Sequence, residues 1–111
     1  MKVYMGVRDP DGTAHVWVEV PGKPIRWLAN RTDLFKHCAT GLDWGYSGGG
    51  PKQCALAILA DALEDDLRAI RIHAGFHFYV VLALPRHLPW HLTEEDVVAI
   101  VKEIEVHAVV E

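Results

Sequence analysis

The sequence predicts an α+β fold, with an N-terminal β-hairpin or small antiparallel sheet followed by a glycine-rich loop and about three helices. Three observations carry this expectation. Residues 2–20 alternate apolar and polar side chains about a turn signal. Residues 51–64 are apolar around most of a helical circumference. Residues 93–104 repeat apolar side chains at helical spacing behind a capping pattern. With 111 residues, half of them hydrophobic and 23% charged, the chain is expected to form one soluble domain spanning 1–111.

The first strand is "KVYMGVR", and Asp9–Gly12 is its turn, with Pro10 presetting φ and Gly12 accepting a positive φ. In the second strand Ala14, Val16, Val18 and Val20 share one face, opposite His15, Trp17 and Glu19. "PGKP" at 21–24 makes the next turn, and "IRWLA" reads as a short third strand. Residues 30–50 are irregular, with one turn of helix expected near Asp33–His37. Pro51 suits the first position of a helix, where its missing N–H leaves no bond unmade. That helix runs to about Glu64. Asp65 and Asp66 favour a second helix N-terminus. Leu67, Ile70, Ala74, Val81 and Leu84 then extend it as a long helix to Pro85, against the strand propensity of "FHFYVV". "LPRHLPW" reads as a loop. Thr93 and Asp96 form a variant capping box before Val97, Val98, Ile100, Val101 and Ile104, and "VHAVVE" reads as a tail or added strand.

A formal net charge of −4, with no Lys/Arg cluster, argues against generic nucleic-acid binding. Cys38 and Cys54 make neither a disulfide framework nor a tetrahedral metal set; a bridge between them around the glycine segment is left open. No stretch approaches the roughly 20 apolar residues of a membrane span, and "MKVYMGVRDP" is no signal peptide. A cytoplasmic protein is expected.

The stretch "TGLDWGYSGGGPKQCALAILAD" resembles the signature of an uncharacterised family of unknown function found in small prokaryotic, plasmid and phage proteins. That family carries W-G-Y-G-G-S-G-P before an Ala/Leu-rich helix. Trp44, Gly45, Tyr46, Gly48, Gly50 and Pro51 match in place, and "LTEEDV" matches a later helix cap. Ser47 and Gly49 depart from the pattern. The resemblance implies helices after Pro51 and between Asp66 and Leu84. It implies no reaction.

The candidate ligand-binding residues are Trp44, Tyr46, Gly48, Gly49, Gly50 and Lys52. Side-chain-free N–H groups leading into a helix start can bind an anion, with the aromatic rings available to stack and Lys52 adding a cation. The alternative is a packing corner in which the glycines let Trp44 and Tyr46 fold over the helix. The pattern lacks the lysine–Ser/Thr pair of a nucleotide triphosphate loop and the βαβ setting of a dinucleotide fingerprint. His73 and His77 are spaced to chelate, but "HAGFH" lacks the glutamate of H-E-x-x-H and no third ligand is signalled, so no metal or other cofactor is expected. His37 beside Cys38 is weak evidence for a thiol nucleophile. Ser47 is the only serine, so no serine triad is available. No catalytic residue is assigned, and an enzyme acting through Asp43, His37 or His73 is the least favoured reading. Asp61, Glu64, Asp65 and Asp66 read as helix capping and solvated surface.

The expected function is therefore a small non-enzymatic binding protein acting on a protein or nucleoprotein partner, such as a mobile-element or phage-type inhibitor of a host system. Exposed residues such as Trp17, Trp90 or the acidic run of Asp61, Glu64, Asp65 and Asp66 would carry the contact. The alternative is a small-ligand protein that holds an anionic or nucleotide-like molecule in the glycine loop. A homodimer is left open by the apolar composition.

Overall fold

The computed structural model describes residues 1–110, the last three by their backbone alone. It is α+β. Strands β1 (Val3–Arg8), β2 (Ala14–Glu19) and β3 (Arg26–Trp27) precede helices α1 (Gly49–Leu63) and α2 (Asp66–Tyr79). A 3₁₀ turn at Val81–Ala83, strand β4 (Trp90–Thr93) and helix α3 (Glu94–Val110) complete the chain. All strand pairings are antiparallel, in the order β3-β2-β1-β4.

The hairpin follows the alternation. Tyr4, Val16 and Val18 enter the core, while Met5, His15 and Trp17 lie on the other face. Gly12 takes the positive φ of 92° that its turn needs. The third strand is shorter than "IRWLA", only Arg26–Trp27 pairing with β2. No helix forms at Asp33–His37, where the chain makes turns.

α1 begins at Gly49, two residues before Pro51, and is buried on nearly all sides, as its apolar circumference predicts. Asp65 caps α2, accepting a hydrogen bond from the Arg68 N–H at 3.1 Å. α2 ends at Tyr79 rather than near Leu84 because the chain turns to drive Val81 fully into the core. The capping box forms in both directions: Asp96 N–H donates to Thr93 Oγ1 and Thr93 N–H to Asp96 Oδ2, each at 3.0 Å. α3 continues through Val110, so residues 106–110 are helical and not a tail or strand; Glu111 lies outside the described residues.

Two further expectations are corrected. Residues 90–93 are a strand on the edge of β1, and Trp90 is buried against the backbone of Gly6 instead of being an exposed partner contact. Asp61 is no solvated cap residue. It accepts from Tyr4 Oη at 2.7 Å and pairs with Lys2 at 3.3 Å and Arg26 at 2.9 Å. Burial would raise its carboxyl, but the Tyr4 and Arg26 hydrogen bonds outweigh that and hold it below the usual range. The same burial and contact push the Tyr4 hydroxyl strongly up.

Candidate functional site

The glycine-rich loop is organised around Asp43. Its Oδ1 accepts from Arg8 Nη2 at 2.7 Å and from the Trp44 N–H at 2.9 Å, and its Oδ2 from Tyr46 Oη at 3.2 Å. The Asp43 N–H reaches the Gly50 carbonyl at 3.2 Å, and a Cβ on Gly50 would stand 2.7 Å from that of Asp43. The Asp43 carboxylate is thus tied to Arg8, Trp44 and Tyr46 within the loop, while its backbone N–H and Cβ pack against Gly50 at the start of α1.

Trp44 is fully buried. Its Nε1 donates to the Pro85 carbonyl at 3.1 Å, its ring meets Trp90 edge-on at 5.3 Å, and the Arg8 guanidinium lies 4.8 Å over it. No face of the indole is left for a stacked ligand. Tyr46 is half-buried beneath the Arg86 guanidinium, 4.7 Å from its centroid. Gly48 lies against the Tyr46 ring and Gly49 against the His37 carbonyl, each at 2.7 Å for an added Cβ. Lys52 is exposed on the first turns of α1.

Beside this loop is a cleft of about 280 Å³, bounded by Gly12 and Thr13 of the hairpin turn, Cys38, Thr40, Asp43, Tyr46 and Gly50. The structure thus brings Tyr46 and Gly50 to one cavity, and places Trp44 in the core. Cys38 and Cys54 are both free, so the bridge left open between them does not form. Hydrogen bonds from the Thr40 hydroxyl and backbone lower the Cys38 thiol, and burial pushes that of Cys54 up.

The other candidate surface is the outer face of the sheet. Trp27 pairs with Trp17, Trp17 with Met5, and Met5 with His91, forming one row across all four strands. Val3, Met5, Val7 and Trp17 neither belong to the apolar core nor pack against it. Trp27 is 67% exposed and Ile25 61%. The Trp17 and Trp27 rings meet edge-on at 6.2 Å, and His15 lies 5.5 Å from Trp27. Trp17 Nε1 is buried without a hydrogen-bond partner, a donor that water no longer satisfies.

A family model described as "Family of unknown function (DUF6166)" matches residues 4–103. The chain belongs to that family. The matched residues span the glycine loop, the cleft and the four positions of the sheet row. No curated protein and no solved structure matches this DUF6166 member.

Alternation had put Trp17 on the outer face; the row itself was not foreseen, because Met5 and His91 join it only through strand register. Also missed was the meeting of His37 with His73, whose Nε2 atoms are 2.8 Å apart. Their 36-residue separation carries no local signal. Burial foremost, then neighbouring positive groups, lower both His37 and His77 from the ordinary histidine value of 6.5. Each is therefore neutral by preference in the folded chain. Their contribution to stability is complete above 6.5 and is lost as pH falls through their lowered folded values. Thermal melts are expected to show a midpoint that drops from pH 7.5 to pH 5, with a shallower drop in His77→Gln.

Proposed function

We propose that this protein is a small non-enzymatic binding protein that engages a protein or nucleoprotein partner through the outer face of its sheet. The observation that carries the reading is the Trp27–Trp17–Met5–His91 row on a face that the helices leave open. Tryptophan contributes most per residue to protein contacts because it buries a large rigid surface and carries one donor that a partner can satisfy. The row holds no lysine or arginine to neutralise phosphates, so on this face a nucleoprotein would be recognised through its protein component. A cytoplasmic setting in a plasmid- or phage-borne system, with inhibition of a host factor as the outcome, fits a small acidic binder. Occupation of the same face by a second copy is the competing outcome.

Affinity capture from producing cells, followed by reconstitution with the purified captured partner, tests this. Trp27→Ala is expected to weaken binding about thirtyfold, the effect of losing a contact worth about 2 kcal/mol. Its stability in urea unfolding should stay within about 0.5 kcal/mol of wild type, because the side chain is largely solvated. Undiminished binding by Trp27→Ala and Trp17→Lys would remove the sheet face from consideration.

A second reading, a small anionic or nucleotide-like ligand held beside Tyr46 and Gly50, has the cleft as its site but the Asp43 carboxylate in the lining against it, with Lys52 outside that lining. Native mass spectrometry with added nucleotides tests it. A bound mass lost in Tyr46→Ala supports this reading, and a bare chain at saturating nucleotide removes it.

A further inference from the structure

The irregular segment 30–43 is held against the helices from two sides. On α1, the fully buried Gln53 donates Nε2–H to the Asn30 carbonyl at 2.7 Å, and its Oε1 accepts from the His37 and Cys38 N–H groups at 2.8 and 3.3 Å. On α2, the only polar tie through the His37 ring among the described residues is Nε2 to His73 Nε2 at 2.8 Å. His73 Nδ1 lies 2.6 Å from the Ile70 carbonyl, which only accepts, so Nδ1 carries a proton. In neutral His73 the Nε2 is then bare, and His37 must be the donor. With nitrogens 2.8 Å apart and ring centroids 5.0 Å apart, the rings meet end-on. Their lone-pair directions face each other instead of converging on a third point, as a metal would require. Among the described residues no group of three or more His, Cys, Asp or Glu is placed to hold a metal ion.

We propose that His37 and His73 form an acid-released latch, closed while one proton lies between the facing nitrogens and opened when both nitrogens carry one. The first added proton, taken up by the pair as a whole, leaves one proton between the facing nitrogens and keeps the contact as a charge-assisted N–H···N bond. A second would put a proton on each of the facing nitrogens, which sets N–H against N–H between two positive rings. The surroundings oppose that charge. Lys52 of α1 and His77 of α2 add positive charge in the neighbourhood, the Phe35 ring lies tilted against His37 at 4.4 Å, and neither ring has a carboxylate partner among the described residues. The two protons are taken up by the pair in separate steps. Release frees His37 and Cys38 from Gln53, and with them the Cys38–Asp43 wall of the cleft.

Hydrogen exchange followed by NMR on the full chain, corrected for the intrinsic pH dependence of exchange, tests the latch. The His37 and Cys38 amides should lose about tenfold in protection from pH 7.5 to pH 4.5, roughly the worth of one charged hydrogen bond. The amides of Ile58 and Leu59 in α1 serve as the internal reference for global unfolding. His73→Gln offers a carbonyl oxygen that accepts from His37 and does not titrate, so it should retain protection at pH 4.5. His73→Leu should lack protection at both pH values. Long-range ¹H–¹⁵N spectra at pH 7.5 should show the Nδ1–H tautomer for His73 and Nε2–H for His37. The opposite tautomers, or acid loss of protection persisting unchanged in His73→Gln, would overturn the proposal.

Discussion

Trp44→Ala is expected to remove about 3–5 kcal/mol of stability, the range for truncating a fully buried aromatic. The indole fills the space between the loop, Trp90 and the Pro85 carbonyl, and Arg8 covers its face. Truncation leaves a cavity there, and removes the donor that satisfies Pro85. Against the 5–15 kcal/mol typical of small domains, that is a large share of the total. Urea unfolding should show a midpoint far below wild type. Trp44→Phe should recover most of the packing and leave a residual deficit of about 1 kcal/mol for the missing hydrogen bond. A wild-type midpoint in Trp44→Ala would contradict the anchoring role and return the ring to the list of surfaces open to a ligand.

Gly6→Val has the second large effect, about 3 kcal/mol, at the upper end of ordinary overpacking. Gly6 sits in the middle of β1, opposite Val16 on one side and Trp90 on the other. A Cβ at this position would overlap the Trp90 indole. The ring must then leave, and β4 loses its hold on β1 while Trp44 loses its edge-on partner. Urea midpoints give the cost directly. Trp90→Ala on its own should be destabilising, yet adding it to Gly6→Val should cost less than the sum of the two, because the overlap is gone. Strict additivity would show that the two positions do not touch.

Local rules made much of the fold legible. Period-two alternation around Asp9–Gly12 is enough for β1 and β2, because one face of a hairpin must be apolar to be buried. The Thr93–Asp96 spacing specifies the start of α3, since both capping bonds span three residues. The apolar circumference of α1 announced a helix buried on nearly all sides. Other elements had no such signal. "WHLT" is four residues beside a proline-rich loop, and it becomes β4 only because β1 offers an unpaired edge. "FHFYVVLALP" is ambiguous in isolation, and α2 stops at Tyr79 because Val81 has a core site to fill.

The candidate surfaces divide in the same way. Alternation placed Trp17 outward; register alone aligned it with Trp27, Met5 and His91. The glycine loop was recognisable as a close-packed or anion-binding corner, yet only the folded chain ties its Asp43 carboxylate to Arg8, Trp44 and Tyr46. By itself, then, the sequence determined the fold class, the hairpin and the N-terminal caps of α2 and α3. Those depend on interactions between residues a few positions apart. Only the tertiary structure decided that Trp44 and Trp90 are core, that Trp17 and Trp27 share an open face, and that His37 meets His73. Each of those outcomes joins residues 10 to 46 positions apart, and which of them meet depends on how the whole chain excludes water.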